Sequence, residues 1–109
     1  MRLRTDIWVS AFLRRHLVEG RYGAVLRKGA PEAGAVYVVI NRLDGSARLF
    51  GPAPGPAYDA AGERRWIEET KGAEPADRAA EIVARRAKAD PDIWVVEIED
   101  RHGNGGISA

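Results

Sequence analysis

The hydrophobic pattern is sharpest near the C-terminus, where Ile93-Trp94-Val95-Val96-Glu97-Ile98-Glu99 alternates residue by residue. Trp94, Val96 and Ile98 fall on one face, and Ile93, Val95, Glu97 and Glu99 on the other, the period of a strand. Asp92 and Asp100 stand at its rims, so the second face starts apolar and ends acidic. The stretch Ala35-Val36-Tyr37-Val38-Val39-Ile40-Asn41 is β-branched, aromatic and nearly continuous, which predicts a central strand. Before it, Arg21 to Lys28 reads as a strand, and after it Asp44-Gly45 is a hairpin turn signal returning through Ala47-Arg48-Leu49-Phe50. Short connections predict an antiparallel meander for these three.

Two segments carry the helical period instead. Val9, Phe12, Leu13, His16 and Leu17 recur at helical spacing, with Thr5 or Asp6 as the cap and Gly20 as the stop, predicting a helix ending near Val18. Ile7, Trp8, Ala11 and Val18 widen its apolar stripe beyond one core-facing side. Pro75 at a first turn and Asp77 to Ala89 predict a second helix, with Ala79, Ile82, Val83 and Ala87 inward and Glu81–Arg85 as a surface pair. Gly51 to Pro56 reads as a wide loop, and 64–70, around Trp66 and Ile67, as a strand pairing back on the third. The order α-β-β-β-β-α-β predicts an α+β domain: an antiparallel-rich sheet of five strands, both helices on one face. Residues 1–103 form that single domain. The glycine-rich 104–109 has nothing evident to pack and reads as a disordered tail.

The chain resembles a family of short bacterial proteins catalogued as domain of unknown function 1491. The likeness is carried by Trp8-Val9-Ser10-Ala11-Phe12-Leu13-Arg14-Arg15, by Gly34-Ala35-Val36, and most specifically by Asp90-Pro91-Asp92-Ile93-Trp94-Val95-Val96-Glu97-Ile98-Glu99-Asp100. It covers residues 5–103. It implies a free-standing single-domain protein of the bacterial cytosol and carries over no activity.

Composition narrows the function classes. The 109 residues contain no cysteine, which excludes disulfides and thiolate metal sites and fits a reducing cytoplasm. No apolar run approaches the roughly 20 residues of a membrane helix, and Asp6, Arg14 and Arg15 break any signal-peptide pattern. Net charge is +1, though residues 1–50 carry 9 basic against 4 acidic side chains and residues 51–109 carry 8 against 12. That near-neutrality argues against a nucleic-acid binder. Such a binder would draw on Arg2, Arg4, Arg14, Arg15 and Arg21.

The candidate chemistry is sparse. Glu97 and Glu99, roughly 7 Å apart on one strand face, with Asp92 form a candidate site for Mg²⁺ or Mn²⁺. The lysine that completes a nuclease strand is missing. The competing reading is a solvated sheet edge whose charges deter pairing. Arg85 and Arg86 are candidates to hold an anion, or to pair with the acidic strand. His16 lies on the apolar stripe of the first helix and His102 in the tail, so a triad is not assembled, and Ser10 sits within a helix. The proline-laden Gly51–Gly55 lacks the N–H groups of a phosphate loop. The three tryptophans are expected to meet in one cluster, Trp94 innermost.

The expectation is therefore a non-enzymatic interaction or accessory module, docking a protein partner or a second copy as a homodimer through Trp8, Phe12 and Leu13. The alternative is a metal-dependent hydrolase or nuclease-like protein acting through the acidic strand.

Overall fold

The structure, a computed structural model, describes residues 3–108. Arg2 of the candidate basic set and the tail's Ala109 lie outside the described residues. Among the described residues two helices and six strands follow in the order α1 (Thr5–Val18), β1 (Gly23–Arg27), β2 (Val36–Asn41), β3 (Ser46–Pro52), β4 (Trp66–Glu68), β5 (Glu74–Pro75), α2 (Ala76–Ala89) and β6 (Trp94–Glu99). The α+β class expected from the pattern is present. A two-residue strand, β5, brings the sheet to six.

The sheet is not a meander at its start. Its order is β1-β6-β2-β3-β4, with β5 beside β3. β1 runs antiparallel to β6, and β6 runs parallel to β2 in the register Val36↔Trp94 to Asn41↔Glu99. Burial decides the placement. β2 and β6 are apolar on both faces and lie side by side in the interior of the sheet, whereas Gly23–Arg27 goes to the rim. The parallel pair then requires a crossover, which α2 supplies. β6 is therefore an interior strand, and the reading of its carboxylates as a solvated edge is overturned. Gly51 and Pro52, expected in a loop, close β3 against β4.

The helices lie on opposite faces rather than on one. Val9 and Phe12 of α1 pack on Val36, Val38, Ile40, Trp94, Val96 and Ile98. Ala79 and Ile82 of α2 pack on Tyr37, Val39, Ala47, Leu49, Ile93 and Val95. A strand with apolar side chains on both sides needs two covers, and each helix supplies one. In α2, Glu81 pairs with Arg78 one turn back at 3.1 Å rather than with Arg85.

The entry to α1 also differs from the expected cap. Thr5 and Asp6 stand inside the first turn, and their N–H groups donate to Glu32 O and Pro31 O of the loop before β2. The Thr5 hydroxyl donates to Gly34 O at 3.1 Å. Backbone carbonyls thus satisfy two of the orphan donors of the first turn, and the Asp6 carboxylate accepts a third, the Ile7 N–H, at 2.8 Å.

Residues 103–108 lie against the domain. Ile107 is 6% exposed and belongs to the α1-side core. Asp100 holds the turn by accepting from the N–H groups of Gly103 at 2.9 Å and Gly105 at 3.0 Å. Those bonds keep the Asp100 carboxyl below its ordinary range despite its partial burial. Gly105 has φ +61°, and a Cβ there would come within 2.9 Å of Ile40. The glycine is what lets the chain close over the sheet.

Candidate functional site

Trp8, Phe12 and His16 are four residues apart, so they stack along one side of α1. The Trp8 and Phe12 rings lie 4.8 Å apart at 16°, and Phe12 meets His16 edge-on at 4.5 Å. The Arg64 guanidinium continues the stack at its outer end, 4.6 Å over Trp8 and 5.3 Å from the Tyr58 ring. Trp8 is thus in contact with both the Phe12 ring and the Arg64 guanidinium. Trp66 tilts against its edge at 6.0 Å, and both pack on the cluster that buries Trp94. Trp94 itself donates its indole N–H to Ala30 O at 2.7 Å.

Beside this stack runs a cavity of about 510 Å³, walled by α1, the 59–66 segment and the tail turn at Gly105 and Gly106. Its size falls in the range of small-molecule pockets. Two residues of the wall each carry one buried nitrogen without a hydrogen-bond partner. His16 is 1% exposed and accepts at Nδ1 from the Arg21 Nε–H at 2.9 Å. That bond assigns the proton of the neutral ring to Nε2, which is buried and unpartnered. Burial first, then the charges of Arg21 and Arg15, hold the imidazole below its usual pKa, against weaker opposition from Glu19 and Asp100.

The second is Arg64. Its Nε is buried without an acceptor, and among the described residues no carboxylate pairs with it. Burial lowers its pKa, opposed by Tyr58, and Asp59 and Glu63 stand on the same wall. Asp59 is engaged elsewhere, accepting from the N–H groups of Ala61 and Glu63 at 2.9 and 3.0 Å. Glu19 pairs with Arg21. Two of the three buried side-chain nitrogens without a partner among the described residues thus belong to this wall, the third being Arg27 Nε.

Arg48 shows the contrast. It grips Glu68 with two bonds of 2.8 and 2.7 Å and reaches Asn104, which ties the tail turn to β3 and β4. Its pair depresses the Glu68 carboxyl below the usual carboxylate range, aided by the Thr70 hydroxyl. Arg48 is fully used by the fold, whereas Arg64 is not.

The residues singled out by sequence sit elsewhere. Asp92 is exposed before β6, roughly 16 Å along the strand from Glu97, so the three proposed ligands do not converge. Among the described residues no group of three His, Asp or Glu side chains is placed to hold a metal ion. Glu97 lies at the end of an apolar groove of about 340 Å³ beside α2, with Val39, Val95 and Ala84 in its walls. Burial, then the neighbouring Glu99, raises its pKa, opposed by the Asn41 side chain. Arg86 pairs with Glu69 at 3.0 Å rather than with the acidic strand, and Arg85 is exposed on α2. Of the expected interface trio, Phe12 is 4% exposed and Trp8 and Leu13 are packed on the core. The broad apolar surface of α1 is left instead by Ile7, Leu17 and Val18. His102 is exposed. Sequence reasoning placed His16 on the apolar stripe, and its spacing to Trp8 and Phe12 carried the signal for one wall. Arg64 carried none.

Comparison with known proteins agrees with this architecture. The family model described as a protein of unknown function, DUF1491, matches residues 3–108. A crystal structure of a DUF1491 family protein from Caulobacter crescentus CB15 is 42% identical, covering 97% of this chain and 95% of that one, with a TM-score of 0.79. A solution structure of an A. tumefaciens protein is 38% identical, covering 92% and 87%, with a TM-score of 0.77. An NMR structure of a C. crescentus DUF1491 protein is 44% identical, covering 96% and 92%, with a TM-score of 0.75. No curated protein matches the chain. With the family model spanning nearly every residue and the same fold in relatives about two-fifths identical, the chain belongs to the DUF1491 family.

Proposed function

We propose that the protein is a small non-enzymatic accessory module of the bacterial cytosol that binds an acceptor-rich ligand beside α1. One observation carries this reading. His16 Nε2 and Arg64 Nε are both buried and unpartnered, and both residues line the same cavity. Folded proteins rarely leave such donors unsatisfied, because each costs about 1–3 kcal/mol. Such groups concentrate where a ligand completes them. The lack of cysteine supports the reducing compartment.

The test is thermal unfolding of wild type and Arg64→Met with hexanoate, decanoate and inorganic phosphate as probes. A ligand held only by the native state raises the melting point, by about 2.7 kcal/mol of stability at a hundredfold excess over Kd. A rise in wild type that is lost in Arg64→Met supports the reading. No rise with any probe, or an equal rise in the variant, refutes it.

A second reading, self-association, has its own observation. Leu17 and Val18 are 66% and 82% exposed at the end of α1, next to Tyr22 and the rim strand β1, where Val25 and Leu26 are also exposed. A rim strand that exposes Val25 and Leu26 and carries Arg27 as its one charged residue can pair with another chain. Size-exclusion chromatography of wild type against Val18→Glu and Leu26→Lys tests it. A monomeric wild type removes it.

A further inference from the structure

We propose that the groove beside α2 is a second binding site, which takes a small organic cation with its ammonium head at Glu97 and an apolar tail along the helix. It lies on the opposite face of the sheet from the α1 cavity and goes beyond that reading, on which it does not depend.

The groove follows from how the two helices share the sheet. α2 lies chiefly over β2, β3 and β5, and α1 over β1 and β6 from the other face. The α2-side surface of β1, and the end of β6 at Glu97, are therefore left open. The flank of α2 that borders this gap carries Ala76, Ala80 and Ala84, spaced four apart and so on one side of the helix. Their methyl groups do not reach across to β1. A trough remains above Val39 and Val95, with Leu26, 56% exposed, in its wall. Its lining is predominantly apolar, and its volume of about 340 Å³ is that of a small-molecule site.

One group of the wall is uncompensated. Glu97 follows Val95 on the same strand face and is partly buried. Asn41 lends its carboxylate a hydrogen bond, but burial and then Glu99 beside it raise its pKa. Among the described residues no basic side chain forms an ion pair with Glu97 or Glu99. The other charged residue of the wall, Arg27, stands opposite Val95 in the strand register. Its Nη2–H donates to Pro91 O at 2.9 Å, toward the start of β6 and away from Glu97, and its Nε is closed to solvent. The positive charge is thus at one end and the open carboxylate at the other. A partly desolvated carboxylate with a like charge beside it gains more from a cation than from a neutral donor. The alanine and valine walls gain from a hydrocarbon tail. An anion would meet Glu97 and Glu99, and a wholly polar cation would leave the trough unfilled.

A ¹H–¹⁵N NMR titration of the full chain at neutral pH, with hexylammonium, hexanol and hexanoate as probes, tests the proposal. Hexylammonium should give saturable shifts at the amides of Ala80, Ala84, Val95 and Glu97. It should bind about tenfold or more tighter than hexanol, the gain of one charge-assisted hydrogen bond, and hexanoate should bind more weakly than either. Glu97→Gln, which keeps the fold, should bind hexylammonium no tighter than hexanol. Ala84→Leu places a larger side chain in the trough from an exposed helix position where leucine is well tolerated, and should abolish binding of both. Arg64→Met should bind as wild type does, which separates this site from the α1 cavity. Equal affinity for the ammonium and the alcohol, or an unchanged affinity in Glu97→Gln, overturns the proposal. So do shifts that appear around His16 in place of α2, tighter binding of 6-aminohexanoate than of hexylammonium, or no saturable shift with the amine.

Discussion

Replacing Arg64 by methionine distinguishes an arginine that holds the fold from one held by it. The side chain is half-buried, its guanidinium 4.6 Å from the Trp8 ring and 5.3 Å from the Tyr58 ring. Losing these two contacts costs about 0.5–1 kcal/mol each at a partly solvated site. Removing the buried Nε–H that has no acceptor returns about 1–3 kcal/mol. Methionine keeps much of the apolar stem against both rings, and its sulfur adds about 0.3–1.5 kcal/mol of ring contact. The balance lies within about 1 kcal/mol of zero and leans toward stabilisation. Arg48→Met is the internal comparison. It strands the Glu68 carboxylate, whose side chain and that of Arg48 are each 21% exposed. Breaking a buried pair costs about 3–5 kcal/mol. The residual exposure and the remaining Thr70 hydroxyl reduce that to about 2–4. With about 4 °C per kcal/mol for a domain of this size, Arg48→Met should melt roughly 8–16 °C below wild type and Arg64→Met within about 4 °C of it. Circular-dichroism melts and urea titrations at neutral pH measure both. If Arg64→Met loses 2 kcal/mol or more, as Arg48→Met does, Arg64 is a structural strut and the case for a ligand at that wall collapses.

Four further outcomes follow from the same structure. Glu97→Gln should raise stability at pH 7, because a carboxyl whose folded pKa is raised is destabilising when ionised; solvent screening keeps the gain below about 1 kcal/mol, and it should vanish as acid protonates the wild-type group. A gain that persists unchanged at acid pH contradicts that cause. His16, with its folded pKa lowered, contributes stability that is present above its ordinary value of about 6.5 and is lost as pH falls from there toward the folded value, by at most about 1.4 kcal/mol per pH unit; urea titrations of wild type across that range should show stability rising with pH. Millimolar Mg²⁺ or Mn²⁺ should leave the melting point of wild type and Glu97→Gln/Glu99→Gln unchanged, since Asp92, Glu97 and Glu99 do not converge; a rise in wild type alone would restore the metal reading. Ile107→Ala should cost about 2–4 kcal/mol in a urea titration, the range for truncating a buried aliphatic side chain; a neutral result would mean that the tail does not pack.

What the sequence determined by itself is local. The helix over 5–18, the helix after Pro75, the alternation of 93–99 and the two-faced apolarity of Val36–Ile40 follow from side-chain periods of 3.6 and 2, which depend on neighbours a few positions away. The interior place of β2 was legible for that reason. That β6 lies between β1 and β2, and that the helices divide between the faces, came only with the tertiary structure, because strand order is set by which surfaces bury best together. The candidate site lay furthest from the sequence. His16 and Arg64 come from separate elements and meet one cavity wall through Trp8 and Phe12, a juxtaposition that no spacing encodes. A spare hydrogen-bond donor has no sequence signature at all, since it is defined by the partners left over once the rest of the fold has taken its own.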